Sequence, residues 1–194
     1  MTRTEILQSF INKINAKSYL EIGMGCGTNH RSIRCEHKVS VDPIPTQPVS
    51  FAITSDDFFK QNKEIFDVIF VDGLHWSEQV YKDIINGLSV LSVGGIIVCH
   101  DMNPPDENYQ LYPQPPTQSN WNGDCWKAWV MLRGERSDLD MCVVDTDWGC
   151  GIITRGNQTP IMYEELNWEY FSKNKNYLLN LISIETFKKQ YNLI

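Results

Sequence analysis

The order of the short apolar runs constrains this chain most. Runs at Ser18 to Ile22, Lys38 to Val41, Val49 to Ile53, Asp67 to Val71 and Ile96 to Cys99 alternate with helical or loop stretches. That rhythm predicts a parallel sheet joined by crossover helices. Residues 4–15 place Ile6, Leu7, Phe10, Ile11 and Ile14 at helical spacing, so an amphipathic helix leads into the first strand and covers one edge of the sheet. Ser77 to Leu91 repeats the pattern with Val80, Ile84, Ile85 and Leu88, and Gly94-Gly95 closes the turn into the fifth strand. Asp140 to Val144 and Cys150 to Thr154, around Asp147-Trp148-Gly149, predict an antiparallel hairpin-like edge, for seven strands in all.

At 194 residues and 42% hydrophobic, the chain buries enough core for one domain. Its core is expected over about 15–155, with a loop at 102–123 and a C-terminal extension at 162–194 that is helical in pieces. The loop, MNPPDENYQLYPQPPTQSNWNGD, is rich in Pro, Asn, Gln and aromatics and keeps neither the helical nor the strand period, the mark of a lid or binding loop. Asp124 is placed to cap a helix over Cys125 to Arg133.

The formal charge of −7 and the lack of a Lys/Arg run disfavour a nucleic-acid partner. No apolar stretch approaches the roughly 20 residues of a membrane span, and MTRTEILQSF lacks the apolar core of a signal peptide. A soluble, cytoplasmic protein is expected. Cys26, Cys35, Cys99, Cys125, Cys142 and Cys150 form no CxxC pair and read as reduced, mostly packed thiols.

Chemistry concentrates at the ends of the expected strands. The first ends in Glu21-Ile22-Gly23-Met24-Gly25-Cys26-Gly27-Thr28-Asn29, a GxGxG turn that lets backbone approach a ligand. A dinucleotide fingerprint needs a third glycine where Thr28 stands, which weakens a nicotinamide reading. The second strand ends at Asp42, where a carboxylate can accept from both ribose hydroxyls, and Ser55-Asp56 follows the third, placed to meet an adenine amino group. The fourth ends in Asp72-Gly73-Leu74-His75 and the fifth in His100-Asp101, so titratable groups converge at one sheet edge. Each is commonplace alone, since a strand-end Asp often caps a helix and a lone His is often structural. Together they favour a site.

Through YLEIGMGCGTN, VDP, FDVIFVDGLH and GGIIVCHDM, the chain resembles class I S-adenosylmethionine-dependent methyltransferases over about residues 15–155. The resemblance implies a Rossmann-like, doubly wound, mostly parallel seven-stranded α/β sheet. It implies that Glu21, Gly23, Gly25, Gly27 and Asn29 surround the methionine and ribose of the cofactor, Asp42 the ribose, and Ser55 with Asp56 the adenine.

Within that class the likeness is to metal-dependent O-methyltransferases acting on sugars or catechols. It puts Asp72, His100 and Asp101 at the ligand positions for Mg2+ or Mn2+, and His75 at the place of a general base working with Asp72. His100 departs from the acidic residue many relatives carry, which leaves Asp72 with Asp101 as the firmer pair. Asn103-Pro104-Pro105 looks like the signature of nucleobase-modifying enzymes. It follows the wrong strand and precedes Asp106 rather than an aromatic ring, so it reads as a turn.

Tyr109, Tyr112 and Trp121 read as platforms for an acceptor, and Asp124 and Lys127 as possible polar contacts, while Trp126 and Trp129 read as core. The expected acceptor is a small molecule or glycan with a free hydroxyl, sugar before catechol. The rival readings are a nicotinamide oxidoreductase and a noncatalytic nucleotide- or glycan-binding module.

Overall fold

A computed structural model describes residues 1–193; Ile194, the last residue of the expected C-terminal extension, lies outside them. The strands are β1 (Ser18–Ile22), β2 (His37–Val41), β3 (Phe66–Val71), β4 (Leu91–Cys99), β5 (Leu139–Val144), β6 (Cys150–Arg155) and β7 (Leu181–Ile182). They form one sheet in the order β2-β1-β3-β4-β6-β5-β7. β6 is the reversed strand, antiparallel to both β4 and β5; all other pairings are parallel.

The helices are α1 (Arg3–Ile14), α2 (Thr28–Ser32), α3 (Ser55–Gln61), α4 (Ser77–Ser89), α5 (Cys125–Glu135), α6 (Trp168–Leu179) and α7 (Ile184–Gln190). They cover both faces of the sheet, because buried strands present apolar side chains alternately to each side. Val68, Phe70, Ile96 and Val98 pack with Ile6, Leu7 and Phe10 of α1 and Phe187 of α7. Ile69, Val71, Ile97 and Cys99 face the layer that holds Ile84, Trp129 and Phe171.

Two expectations need correction. Val49 to Ile53 is not a strand: Phe51 alone forms an isolated parallel bridge to Val41. The seventh strand is instead β7, in the C-terminal stretch, whose two residues extend the sheet beyond β5. Gly94-Gly95 does not precede β4 but lies within it. There the partners of Phe66 and Val68 jump from Leu91 to Ile96, and Gly94 takes φ 78°.

Helix ends explain a third difference. α1 carries its own capping box, with Thr2 accepting from Glu5 N and the Glu5 side chain from Thr2 N. α4 has no local side-chain cap. Asp124 supplies it from across the fold: its Oδ1 accepts from Ser77 N at 2.7 Å and its Oδ2 from Ser77 Oγ at 3.1 Å. Asp124 makes no side-chain cap on its own helix, α5.

Register then positions the site. Ile22 pairs with both Val41 and Val71, and Val71 pairs with Cys99, so the next residues, Gly23, Asp42, Asp72 and His100, stand abreast at one edge. The chain crosses to β2 on one side of β1 and continues through β3 on the other, which opens the sheet edge between β1 and β3, where α/β sheets take ligands. Among the described residues, no helix is long and apolar enough to cross a membrane.

Candidate active site

A cavity of about 870 Å³ lies at this edge. Its first wall is the glycine turn. Gly23 at φ 84° sits so close to β3 that a Cβ there would lie 2.1 Å from Asp72 O. Gly25 at φ 53° has nothing within 4 Å of a Cβ, so the backbone there is open to an incoming ligand. Gly27 does not line the cavity; at φ 73° it occupies the N-cap position of α2. Asp42 lines the cavity and ties the turn in place, Oδ2 accepting from Gly25 N at 2.8 Å and Oδ1 from Ile44 N at 2.9 Å.

Glu21 is 1% exposed and accepts from Tyr19 OH and from Asn29 Nδ2 at 3.0 Å. Asn29 is braced by Thr4 Oγ1 on its other end. Burial pushes the Glu21 carboxyl up to about 7. The sign follows from linkage: the folded chain holds a proton that the unfolded chain, with an ordinary value near 4.5, has released. The resulting stabilisation is fully present below about pH 4.5 and is lost as pH rises through about 7, a change on the order of 3 kcal/mol. Urea melts of the cofactor-free protein at about pH 5 and about pH 8 are expected to show this loss, and Glu21→Gln to make it smaller, the raised pKa values of Asp83, His75 and His100 supplying the remainder. An equal loss of unfolding free energy between the two pH values in both proteins contradicts this account.

Ser55 and Asp56 form the far end of the cavity. Gln79 reaches Ser55 Oγ at 3.2 Å, Asp56 Oδ1 at 3.1 Å and Asp83 Oδ1 at 3.0 Å. Gln79 and Asp83 were not anticipated. The signal was present: two polar residues four apart on the inner, apolar face of α4, beside Val80 and Ile84.

The opposite end holds the titratable groups. One donor atom from each of Asp72, His75 and Asp101 lies within 4.8 Å of the others. His75 Nε2 is 3.6 Å from Asp72 Oδ1 and 3.2 Å from Asp101 Oδ2. His75 Nδ1 lies 3.1 Å from the carbonyl of Trp121 and donates to it, which leaves Nε2 as the nitrogen facing the carboxylates. Burial opposes charging this ring, but Asp72 and Asp101 outweigh it and hold its pKa above the ordinary histidine value. Burial likewise acts against the Asp72 carboxylate, and His100 and His75 reverse the effect and hold it low. Asp101 takes φ 65°, a left-handed conformation that carries strain at the centre of the cluster.

His100 lies against both carboxylates. It is 3% exposed, and its Nδ1 lies 2.9 Å from both Asp101 Oδ2 and Arg3 Nη1. Its Nε2 points towards Asp147 Oδ1 at 3.6 Å. His100 lines the same cavity, and its Nδ1 also lies 3.3 Å from Asp72 Oδ1, so both histidines reach the two carboxylates, while His75 is the one whose donor atom groups with theirs. His100 also belongs to a second group with Asp147 and Cys150. Burial pushes the Cys150 thiol up to about 12, so it is protonated and a poor ligand.

Arg3, from α1, was also unforeseen. Its Nη1 is 3.3 Å from Asp72 Oδ2, and its backbone N donates to Asp147 Oδ2 at 2.7 Å. Asp147 and Trp148 hold left-handed φ values of 46° and 66°, and both line the cavity.

Of the expected acceptor residues, Trp121 lines the cavity and stacks on His75 at 4.8 Å between ring centroids. Tyr112 stands behind it, stacked between Trp121 and Trp76, and Tyr109 stacks on Trp148. Neither tyrosine lines the cavity. Asp124 and Lys127 do not either: the Asp124 carboxylate is taken by Ser77 and by Lys127 Nζ at 3.1 Å, so it is a structural cap rather than an acceptor contact. Trp126 and Trp129 are fully buried, as expected of core. Four of the cysteines are buried; Cys26, in the glycine turn, is exposed.

A family model described as a methyltransferase domain matches residues 46–102. No curated protein matches the chain in sequence. Among solved structures, it is similar to the O-methyltransferase TomG of Streptomyces achromogenes, in complex with S-adenosylmethionine, at 16% identity over 79% of each chain and a TM-score of 0.57. It is similar to an O-methyltransferase of Bacillus cereus in complex with S-adenosylhomocysteine, at 14% identity over 78% of each chain and a TM-score of 0.54. The N-methyltransferase NodS of Bradyrhizobium japonicum is similar at 17% identity over 80% of this chain and 94% of its own, with a TM-score of 0.50. At such identities the likeness is one of fold. The chain thus has the fold of the class I S-adenosylmethionine-dependent methyltransferases, and a methyltransferase-domain model matches within it.

Proposed function

We propose that the protein is an S-adenosylmethionine-dependent O-methyltransferase that methylates a hydroxyl of a sugar or other small polar acceptor with the help of a divalent cation. One observation carries this: His75 Nε2, Asp72 Oδ1 and Asp101 Oδ2 converge in the same cavity as the glycine turn and Asp42. A methyl donor and a hydroxyl can meet there.

The residues fit both groups. Gly25 leaves room for the cofactor's approach, Glu21 and Asn29 border its amino-acid end, Asp42 its ribose, and Ser55 with Asp56 its adenine. Asp72 and Asp101 offer oxygen donors of the kind Mg2+ and Mn2+ prefer. When bound, the cofactor supplies an electrophilic methyl on a good leaving group and the cation lowers the pKa of a hydroxyl. The protein's part is alignment and proton removal. His75 has one free nitrogen, so Nε2 serves either as ligand or as base; we assign it the base. It takes the hydroxyl proton as the acceptor oxygen bonds to the methyl carbon and the carbon–sulfur bond breaks with its electrons to sulfur.

Trp121 and Trp148 offer aromatic faces and Ser119 and Asn120 polar groups at the acceptor end, the mixture that suits a sugar ring. Trp121 also supports a second reading, a planar phenol or catechol.

Calorimetry with S-adenosylhomocysteine, with and without Mn2+, on wild type and Asp72→Ala tests the proposal. One cofactor site in both proteins, with Mn2+ uptake lost in the variant, is the expected result. Absence of cofactor binding under every condition sinks it, and methyl transfer to a panel of sugars and catechols then decides the acceptor class.

A further inference from the structure

The geometry points to Asn122 as the positioning residue that holds Asp101 for a divalent cation, and through it to the loop 102–123 as a structural part of the cation site. This rests on the reading of Asp72 and Asp101 as the cation pair.

Each carboxylate of that pair has one oxygen held by a side chain from elsewhere in the fold. Arg3 Nη1 lies on Asp72 Oδ2 at 3.3 Å, and Asn122 Nδ2 donates to Asp101 Oδ1 at 2.7 Å. The other oxygens, Asp72 Oδ1 and Asp101 Oδ2, face both His75 Nε2 and His100 Nδ1, the latter at 3.3 and 2.9 Å. Ligand carboxylates need such outer partners to fix their rotamers. Exchanging the amide ends of Asn122 would set two oxygens 2.7 Å apart, so the donor must face Asp101.

Asn122 is fully buried, and its Oδ1 has no hydrogen-bond partner among the described residues. A side chain there for packing or stability alone is poorly chosen, because the orphaned oxygen opposes folding. The contact to Asp101 is what the residue provides.

Its neighbours fasten the same stretch to the strand end that carries Asp72 and His75. The Trp121 carbonyl accepts from His75 Nδ1, and Asp124 caps Ser77. Gly123, at φ 63°, comes so close that a Cβ would meet His75 O at 1.9 Å. Tyr109 O accepts from both Asn122 N at 3.0 Å and Gly123 N at 3.1 Å, tying residues 121–124 back to the body of the loop. Four consecutive residues therefore join the acceptor loop to Asp101, to His75 and to the start of α4.

The test is calorimetric titration of Mn2+, and separately of S-adenosylhomocysteine, into wild type, Asn122→Ala and Asn122→Leu. The leucine variant keeps the volume and removes the orphaned oxygen, which guards against simple collapse of the site. In both variants Mn2+ affinity is expected to fall about 10- to 100-fold. Affinity for S-adenosylhomocysteine is expected to stay unchanged, because the cofactor's residues lie elsewhere in the cavity. Wild-type Mn2+ affinity in a folded variant overturns the proposal. So does parallel loss of both ligands with the cooperative melt in both variants, which marks a structural residue. A wild type that binds S-adenosylhomocysteine but not Mn2+ overturns the cation reading itself, and this inference with it.

Discussion

His75→Ala is expected to lower kcat about 10²- to 10⁴-fold while leaving the affinities for S-adenosylhomocysteine and Mn2+ at wild-type values. The size of the effect is that of removing a positioned general base, and the split between turnover and binding follows from the geometry. The Trp121 carbonyl holds Nδ1, so the ring presents Nε2 alone to the cavity. A base at that position contributes to proton transfer and not to cofactor binding, for which the proposed residues stand along β1, β2 and α3. Single-turnover rates set beside calorimetry of the same protein make the comparison. Near-normal turnover at every pH shows that some other group takes the proton. Loss of Mn2+ uptake instead shows that Nε2 is a ligand, and the base must then be sought elsewhere in the cavity.

The residues that make this prediction possible were legible in the sequence because strand ends are local signals. Apolar runs followed at once by GMGCG, VDP, DGLH and HD put Gly23, Asp42, Asp72 and Asp101 at one edge before any register was known. What stayed hidden depends on partners far away in the chain. Asp124 reads locally as the cap of α5, yet it caps α4 from 47 residues away. Asn122 and Arg3 carry no local sign that they pin Asp101 and Asp72, which lie 21 and 69 residues from them. That both His75 and His100 reach the carboxylates, and that Arg3 arrives against His100, likewise depends on tertiary packing. The stretch Val49 to Ile53 has the composition of a strand but pairs only at Phe51, while Leu181-Ile182 pairs with β5 despite being two residues long. Strand identity in both cases was set by tertiary contact rather than propensity.

The other large effect expected is on folding, at the point where the sheet opens for its ligand. Gly23→Ala is expected to destabilise the protein by more than about 4 kcal/mol or to prevent folding. The added Cβ would lie 2.1 Å from Asp72 O and 2.4 Å from Gly73 Cα, and both are backbone atoms with no rotamer to move to. The conformation, φ 84°, adds strain on its own. Relief requires parting β1 from β3, and the bond from Asp72 N to Ile22 O, 2.9 Å, opposes it. Gly25→Ala separates this packing role from ligand binding. Its Cβ meets nothing within 4 Å, so the variant carries only the strain of φ 53°, about 1–2 kcal/mol, and is expected to fold. Because Gly25 lines the cavity, the same methyl intrudes where the cofactor approaches, and affinity for S-adenosylhomocysteine is expected to fall. Urea melts and cofactor titrations of the two variants settle the division. If Gly23→Ala melts like wild type, the close approach of β1 and β3 is not fixed by this glycine. If Gly25→Ala binds S-adenosylhomocysteine normally, the cofactor does not lie against the turn.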